Sequence, residues 1–241
     1  MERVDVLGVS FDRLTMSQAR DNGEKLLGQK NGSYVVTPNP EIVFAARKDG
    51  NYARALAGAD LVLADGIGIV YAARILGRPS LEKIPGIEFG RQMLSRCAET
   101  GLAVYLLGGK PGVAQRAAAN LEAEYPGLKI CGTHDGYFGP EEPVAELISA
   151  SGADMVFVCL GFPKQEFWMA ENSKKTGASL HIGLGGSLDV FAGDVKRAPR
   201  SWQKLGLEWL YRLICEPRRI KRMWKLPFFL ALAVWKRLTG G

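Results

Sequence analysis

Short apolar runs that alternate with longer amphipathic segments limit how this chain can fold more than any other feature. From residue 33 onward, runs such as SYVV, AVYLLG, DMVFVCLG and ASLHIG are each followed by a segment with helical spacing of its apolar residues. Repeated strand-then-helix units are typical of a parallel sheet. The runs are apolar throughout, which indicates strands covered on both faces. We therefore predict an α/β fold with a Rossmann-like, mostly parallel sheet and helices on both faces.

Two parts of the chain do not follow this alternation. The segment RVDVLGVSF alternates with a period of two around Gly8, which predicts a small N-terminal β-hairpin. Beyond about residue 195, four tryptophans are interleaved with Arg and Lys. We therefore predict an α/β core over residues 1–195 and a basic, amphipathic helical appendage over residues 196–241. Within the core, we expect a helical stretch from about residue 67 to about residue 100.

Charge is distributed unevenly between these two parts. Residues 1–195 hold 19 Lys and Arg against 23 Asp and Glu, whereas residues 196–241 hold 12 against 2. A basic block of this kind is typical of an anionic partner. The longest uncharged run in the appendage, LPFFLALAVW, has 10 residues, about half of the ~20 that span a bilayer. We therefore expect the appendage to lie on an anionic membrane surface, and its many large apolar residues disfavour nucleic acid as the partner.

The N-terminus and the cysteines indicate the compartment. The first residues are charged and contain no apolar segment of the kind found in signal peptides, so we expect a cytoplasmic protein, peripheral on the inner face of the membrane. The four cysteines are far apart and form no C-x-x-C pair, which favours reduced thiols over disulfides or zinc. With only two histidines and no Asp-x-Asp pair, we expect no metal site.

Polar or glycine-rich residues follow most of the predicted strands. In parallel α/β sheets, ligands bind at the carboxyl ends of the strands, where loops lead into helices. Those ends carry TPN at 37–39, DG at 65–66, GG at 108–109, GFPKQ at 161–165 and GLGGS at 183–187. One rim of the sheet is therefore predicted to hold a polar ligand.

The segment GLGGSLDVFAG is the stronger of two candidates for binding a nucleotide. Its glycine nest, which includes Gly185 and Gly186, precedes Ser187 and Asp189. Backbone amides in such a nest suit a phosphate, and the carboxylate offers an acceptor for a uracil or ribose edge.

The segment LLGGKPGV is the weaker candidate. Gly108 and Gly109 follow a predicted strand and precede a helix, so they suit either a phosphate or a tight strand-to-helix turn. The same segment leaves open a dinucleotide-dependent oxidoreductase, with Asp135 as the acid that binds the ribose. The third glycine, Gly112, comes one position too early for the full dinucleotide motif.

Three strand-end side chains are candidates for the site, and two of them also suit a helix cap. Asn39 before Pro40 suits a helix N-cap as well as a ligand. Gln165 is placed to hydrogen-bond sugar hydroxyls. Asp65 suits either a helix cap or a general base, and its local sequence does not separate the two. The scarcity of other candidate bases favours a carboxylate in the catalytic role.

Three arginines of the appendage have a spacing that favours a diphosphate ligand. Arg212, Arg219 and Arg222 are separated by seven and three residues, so they share a face if the segment is helical, although Pro217 interrupts a helix. Arginine suits a diphosphate because its guanidinium binds phosphate oxygens in a bidentate manner.

Ordered motifs along the whole chain resemble those of one bacterial family. DVLGV, TPNPEIV, LADGIGIV, YLLGG, GTHDGYF, LGFPKQE, GLGGSLDVFAG, KRAP and GLEWLYRL together resemble the WecG/TagA/CpsF glycosyltransferases, and most of all their TagA-type members. The resemblance implies an inverting, metal-independent transfer of N-acetylmannosamine from a UDP-sugar donor. The implied acceptor is the 4-hydroxyl of N-acetylglucosamine on undecaprenyl diphosphate, and the product is the linkage unit of wall teichoic acid.

The resemblance also implies roles for individual residues. Asp65 would be the general base, while Thr37, Asn39 and Gln165 would bind the sugar or the acceptor. The family typically has Arg where this chain has Lys83. A lysine neutralises phosphate charge but lacks the planar fork of arginine.

The remaining implied roles concern the nucleotide and the diphosphate. Asp189 and the glycine nest would hold the nucleotide, and the three arginines would close over the diphosphate. No cofactor is implied, because the arginines would stabilise the departing UDP as a metal ion does in other glycosyltransferases.

Three alternatives to this function stay open at the level of sequence. The first is the same family with another donor, such as the uronic acid of N-acetylmannosamine or a UDP-hexose. The second is the oxidoreductase described above, and the third is a non-enzymatic membrane or nucleic-acid adaptor. We also expect self-association, with a number of subunits that the sequence does not set.

Overall fold

The computed structural model describes residues 2–139, 143–196, 198–199, 202, 208–215 and 225–239. A six-stranded sheet with the strand order β4-β3-β8-β7-β5-β6 forms the centre of the molecule. Each neighbouring pair in this sheet is parallel, which confirms the predicted fold class. The strands are β1 Arg3–Val6, β2 Val9–Asp12, β3 Ser33–Val36, β4 Leu61–Val62, β5 Ala103–Gly108, β6 Lys129–His134, β7 Met155–Cys159 and β8 Leu180–Gly183.

Helices cover both faces of the sheet. In β7, Val156 and Val158 face one buried cluster, and Met155 and Phe157 face the other. This alternation explains the uninterrupted apolar runs, because each side of a strand packs under its own layer of helices. The helices are α1 Met16–Leu27, α2 Pro40–Ala46, α3 Gly50–Ala57, α4 Ile67–Ile75, α5 Gly86–Thr100, α6 Val113–Glu124, α7 Val144–Ser151, α8 Lys164–Asn172, α9 Ser187–Phe191, α10 Glu208–Cys215 and α11 Lys225–Leu238.

The two layers differ in the helices that form them. Buried residues of α2, α3, α4, α7, α8 and α11 belong to one cluster, and those of α1, α5, α6 and α9 belong to the other. The first cluster includes the apolar side chains of the N-terminal hairpin.

The N-terminal hairpin covers the β4 edge of the sheet. Strands β1 and β2 pair antiparallel through a turn at Leu7 and Gly8, where both residues have positive φ, as in the tight turns that suit the twist of a hairpin. The Asp12 carboxylate, buried beneath the hairpin, accepts a hydrogen bond from the Val62 amide of β4 at 2.8 Å. The predicted hairpin is therefore confirmed, and it satisfies a backbone donor of the edge strand.

The prediction of one helical stretch from about residue 67 to about residue 100 is wrong between Ile75 and Gly86, where a loop separates two helices. Helix α4 ends at Ile75, and α5 begins only at Gly86. Gly77 has a φ of +67°, which stops the first helix, and Pro85 is the N-cap of the second. The intervening loop lies beside the carboxyl end of β4 and contributes to the site.

The C-terminal helix α11 packs on α2 and α4. Phe229 and Ala233 are fully buried there, and the Phe229 ring meets Phe44 edge-on with a centroid distance of 5.4 Å. A Cβ on Gly68 of α4 would lie 2.6 Å from Leu226 Cδ1 and 2.7 Å from Pro40 Cγ, so a larger residue at this position would have to displace both side chains. The predicted helical appendage is confirmed, while the division at residue 195 stays a prediction.

Candidate active site

One cavity of about 410 Å³ opens at the carboxyl ends of four adjacent strands, β4, β3, β8 and β7, and its volume suits a small-molecule ligand. Five side chains proposed from the sequence line it together, although they come from distant parts of the chain. They are Thr37, Asn39, Asp65, Lys83 and Gln165.

Asp65 lies on the cavity wall directly after β4, and it is half-buried. Its amide donates to the Pro38 carbonyl at 3.2 Å, which joins the loops that follow β3 and β4. The N-cap of α4 is Gly66, with a φ of +110° and no side-chain cap. Glycine is needed at this position because L side chains avoid that φ. The N-cap position that the sequence left open for Asp65 is therefore occupied by Gly66, and the role of Asp65 as a base stays a prediction.

Asn39 combines the two interpretations that the sequence allowed. Its Oδ1 accepts from the amides of Glu41 at 2.9 Å and Ile42 at 3.1 Å, so it caps α2, with Pro40 at the start of the helix. It also lines the cavity. Because the cap uses the side-chain oxygen, the Nδ2 group is the part of Asn39 suited to bind a ligand.

Thr37 and Gln165 hold the loop between β8 and α9 from two sides. The Thr37 hydroxyl donates to the Gly183 carbonyl at 3.1 Å, and Gln165 Oε1 accepts from the Gly185 amide at 2.9 Å. Both side chains are more than nine-tenths buried. Both side chains therefore fix the position of a backbone segment in the cavity wall. Each also has further donor or acceptor groups that can bind a ligand.

Lys83 reaches the cavity from the loop between α4 and α5. The next residue, Ile84, is buried and donates its amide to the Ala64 carbonyl at 2.9 Å. This bond joins the Lys83 loop to the end of β4, one residue before Asp65. Lys83 and Asp65 therefore lie next to the two ends of one backbone hydrogen bond.

The glycine nest lies at the cavity, but not all of the proposed nucleotide residues do. Gly185, Gly186 and Ser187 line the wall, and the Ser187 hydroxyl donates to the Leu184 carbonyl at 2.7 Å. Asp189 is half-buried on α9 and lies outside the residues that line the cavity.

Gly108 and Gly109 also lie outside the cavity wall. A Cβ on Gly108 would overlap the Cys159 carbonyl, and Gly109 accepts from the Gly136 amide at 2.8 Å. Gly108 therefore allows close packing between the ends of β5 and β7, and both glycines have a positive φ. Binding of a nucleotide by these two residues stays a prediction.

The arginines of the appendage are not located by the structure. Arg212 belongs to α10, but its side chain lies outside the described residues. Arg219 and Arg222 lie outside them altogether. Their role at a diphosphate stays a prediction.

Sequence reasoning missed two charged groups near the site. Lys225, the first residue of α11, lines the cavity, and its Nζ pairs with Glu41 Oε1 at 2.9 Å. Glu166 is fully buried and binds both Gln165 and Tyr52. The only sequence signal for Lys225 is its position before the long apolar run, and an acidic residue in the first turn of a helix is too common to single out Glu166.

Burial is the main influence on the pKa values of Glu166 and Cys159, two titratable groups near the site. Burial raises the pKa of Glu166 above its ordinary value, although hydrogen bonds from Gln165 and Tyr52 oppose the shift. Burial also raises the pKa of the Cys159 thiol to about 12, so this cysteine is not a nucleophile near neutral pH. Within the described ranges, no three His, Cys, Asp or Glu residues are grouped as metal ligands.

A parallel α/β sheet with a polar cavity at its carboxyl edge, lined by the carboxylates of Glu41 and Asp65 and by two lysines, defines an enzyme-type site for a polar ligand. The chain belongs to the WecG/TagA/CpsF family of glycosyl transferases, whose family model matches residues 4–241. This membership confirms the resemblance carried by the motifs, and it does not favour an oxidoreductase.

Three bacterial proteins are similar to this chain over most of its length. A Bacillus subtilis (strain 168) protein is 40% identical over 87% of this chain and 82% of its own length. A Bacillus spizizenii protein is 38% identical over 85% and 79%, and a Staphylococcus aureus (strain NCTC 8325) protein is 37% identical over 95% and 91%. Each is named N-acetylglucosaminyldiphosphoundecaprenol N-acetyl-beta-D-mannosaminyltransferase.

Proposed function

We propose that this protein transfers N-acetylmannosamine from UDP-N-acetylmannosamine to the 4-hydroxyl of N-acetylglucosamine on undecaprenyl diphosphate, and so builds the linkage unit of wall teichoic acid. The observation that carries this proposal is the assembly of Thr37, Asn39, Asp65, Lys83 and Gln165 around one cavity. The names of the similar bacterial enzymes support the choice of donor sugar and acceptor.

The chemistry is a single displacement with Asp65 as the general base. The acceptor 4-hydroxyl attacks the anomeric carbon from the face opposite UDP, and its proton passes to the Asp65 carboxylate. The new bond joins the anomeric carbon to the acceptor oxygen, and the bond to UDP breaks with its electron pair on the leaving diphosphate. One displacement inverts the configuration at the anomeric carbon.

Cations around the cavity neutralise the negative charge of the UDP diphosphate. Lys83 and Lys225 both line the wall, and Arg212, Arg219 and Arg222 supply further cations from the appendage. Positive groups placed before the reaction stabilise the negative charge that develops on departing UDP. Gly185, Gly186 and Ser187 line the wall and hold the nucleotide from the other side.

Helix α11 brings the cavity to an anionic membrane surface, the inner face of the cell membrane. Phe228, Trp235 and Leu238 are 61%, 61% and 80% exposed, and their spacing of seven and three places them on one face of the helix. The opposite face packs on the protein core through Phe229. Among the described helices, none has both the length and the hydropathy that a bilayer span requires.

The position of α11 suits a lipid-linked acceptor. Its first residue lines the cavity and its apolar face continues away from it. An acceptor whose lipid tail stays in the membrane therefore has its diphosphate and sugar close to Lys225.

The function is tested by UDP release in a mixture of UDP-N-acetylmannosamine and a short-chain lipid diphosphate that carries N-acetylglucosamine. Wild-type protein should release UDP, and Asp65→Asn should lower kcat about 10²-fold to 10⁴-fold because the attacking hydroxyl loses its base. The rates of UDP release with UDP-N-acetylmannosaminuronic acid and UDP-N-acetylglucosamine show which UDP-sugar is the preferred donor. No release above background with UDP-N-acetylmannosamine, or full turnover by Asp65→Asn, would contradict the proposal.

A further inference from the structure

We propose that Glu166 is a positioning residue for the transfer reaction: it fixes the amide orientation of Gln165 and, through Gln165, the Gly185 segment of the cavity wall. This inference rests on the proposed function, since it assigns Gln165 to the substrate. The inference assigns a role to a buried carboxyl group that does not contact the substrate. This group determines whether the oxygen or the N–H of the Gln165 amide is available to bind the substrate.

The carboxyl group of Glu166 is placed for this task by two hydrogen bonds. Its Oε1 accepts from Gln165 Nε2 at 2.7 Å, and its Oε2 accepts from the Tyr52 hydroxyl at 2.9 Å. Glu166 is fully buried and Tyr52 is 1% exposed. Removing a carboxyl group from water is costly unless it is hydrogen-bonded, so these two donors account for its presence at this depth.

The two partners of Gln165 require the same orientation of its amide. Glu166 offers an acceptor on one side, and the Gly185 amide offers a donor, 2.9 Å from Gln165 Oε1, on the other. A reversed amide would place two oxygens together at Glu166 and two N–H groups together at Gly185. Each of these contacts is repulsive, so Glu166 and Gly185 select one orientation.

This orientation determines what Gln165 presents to the cavity. One N–H of Nε2 is bound to Glu166 and the oxygen is bound to Gly185. The second N–H of Nε2 takes part in no hydrogen bond among the described residues, and Gln165 lines the cavity. Gln165 therefore offers a donor, which suits an acceptor oxygen of the sugar such as a hydroxyl or the acetamido carbonyl.

The backbone next to Gln165 gives little room for another arrangement. A Cβ on Gly183 would lie 2.8 Å from Met169 Cε and 3.1 Å from Gln165 Nε2. The Gly183 carbonyl is also held by Thr37. The loop after β8 is therefore held at Gly183 and at Gly185, and Glu166 reaches it only through Gln165.

Tyr52 connects this arrangement to a neighbouring helix of the same layer. It comes from α3, whereas Gln165 and Glu166 open α8. The Tyr52 hydroxyl keeps the carboxyl group from rotating away from Gln165. Burial raises the pKa of Glu166, which agrees with a group that water does not reach.

The test compares kcat and KM for donor and acceptor in Glu166→Met and Glu166→Gln. Glu166→Met removes the acceptor, and we expect kcat to fall by about 10-fold to 100-fold. Glu166→Gln should restore most of this loss, because its amide oxygen accepts from Gln165 while its NH2 group donates to the Tyr52 oxygen. Glu171→Gln, a change at an exposed acid of the same helix that pairs with Lys175, is the matched control and should leave both constants unchanged.

A double-mutant cycle separates positioning from a general structural role. Once Gln165→Ala has removed the amide, adding Glu166→Met should lower kcat no further. Multiplicative losses in the double variant, or equal losses in Glu166→Gln and Glu166→Met, would overturn the proposal.

A readout independent of transfer keeps the proposal separate from the proposed function. Hydrogen exchange of the Gly185 amide should become faster in Glu166→Met and in Gln165→Ala, and stay unchanged in Glu171→Gln. Tyr52→Phe, which removes one hydroxyl, should also make exchange of the Gly185 amide faster. It replaces Glu166→Met in this test if that variant fails to fold. Unchanged exchange in the folded variants would overturn the positioning role even if transfer is confirmed, whereas absent transfer with faster exchange would overturn only the proposed function.

Discussion

The Asp12 carboxylate holds the Val62 amide at 2.8 Å, three residues before Asp65. Strand β4 has only two residues and lies at the edge of the sheet, so one of its amides faces away from β3. The hairpin supplies the acceptor that this amide would otherwise lack, and Arg3 binds the other carboxylate oxygen at 2.9 Å. The position of the proposed base therefore depends on a segment that is remote from it in sequence.

The first prediction concerns this hydrogen bond. Asp12→Ala should lower the free energy of unfolding by about 1–3 kcal/mol, because it leaves the buried Val62 amide without a partner. Arg3→Ala should cost less than Asp12→Ala, because the Val62 amide keeps its acceptor and the Arg3 side chain is already 37% exposed. Urea unfolding of the two variants checks the order, and an equal cost would show that the ion pair matters more than the buried amide.

The second prediction concerns Lys83, which lines the same cavity as Asp65. Lys83→Met should raise KM for the UDP-sugar by about 10-fold to 100-fold, because a charge-assisted hydrogen bond to phosphate is lost. Lys83→Arg should keep or lower KM, because the guanidinium adds a second hydrogen bond. Steady-state kinetics with varied donor measure both changes, and unchanged KM in Lys83→Met would remove Lys83 from the binding site.

The third prediction concerns the docking of α11. Gly68→Ala places a Cβ within 2.7 Å of Pro40 Cγ and even closer to Leu226, so it should destabilise the protein by about 1–3 kcal/mol and expose α11 to proteolysis. The matched control is Gly50→Ala in α3, where a Cβ meets nothing within 4 Å. Thermal unfolding should show a lower midpoint for Gly68→Ala only, and equal midpoints would contradict close packing at Gly68.

Much of the fold was predictable from the sequence because it depends on local periodicity. Continuous apolar runs identified buried strands such as β7, and the period-two segment around Gly8 identified the hairpin. The general rule that ligands bind at the carboxyl ends of parallel strands then selected residues such as Thr37 and Asp65.

The order of strands in the sheet was not predictable in the same way. Every strand end has the same local appearance in the sequence, but only the ends of β4, β3, β8 and β7 surround the cavity. For this reason Gly108 and Gly109 were a second, weaker candidate beside Gly185 and Gly186, although they lie outside the cavity wall. Strand order depends on how the crossover helices pack, which is a property of the whole chain.

The burial of Glu166 was hidden for a related reason. Its neighbours in α8 give no indication of its depth, and its partner Tyr52 lies 114 residues earlier in the chain. The sequence alone does not show that this carboxyl group is buried, because that depends on the positions of both of its hydrogen-bonding partners in the fold. Lys225 was missed similarly, because its contact with the cavity depends on the docking of α11 beside Glu41.

The fourth prediction concerns the exposed apolar face of α11. The double variant Phe228→Ala and Trp235→Ala should bind vesicles that contain phosphatidylglycerol about 10-fold or more weakly, because two large apolar side chains no longer enter the headgroup region. Leu147→Ala on α7 is the control, since Leu147 is also partly exposed, at 46%, but lies on another helix. Sedimentation with vesicles measures binding, and equal losses in both proteins would rule out a specific role for α11.

The fifth prediction concerns the pH dependence of stability through His181. This residue is fully buried between Thr176 and the Ser33 carbonyl, and burial lowers its pKa from the ordinary 6.5 to about 4. Between these values the unfolded chain binds a proton that the folded protein does not. The free energy of unfolding should therefore fall as pH drops from about 6.5 toward 4, by up to roughly 3 kcal/mol from this residue.

The comparison that isolates this effect is His181→Gln, which keeps a polar side chain but does not titrate. Urea unfolding of both proteins at pH 7, 6 and 5 gives the difference between their free energies of unfolding. Other groups, including Glu166, are present in both proteins and cancel in this difference. The advantage of the wild type should shrink as pH falls, because only its folded state must exclude a proton at residue 181, and a constant difference across the series would contradict a neutral, buried His181.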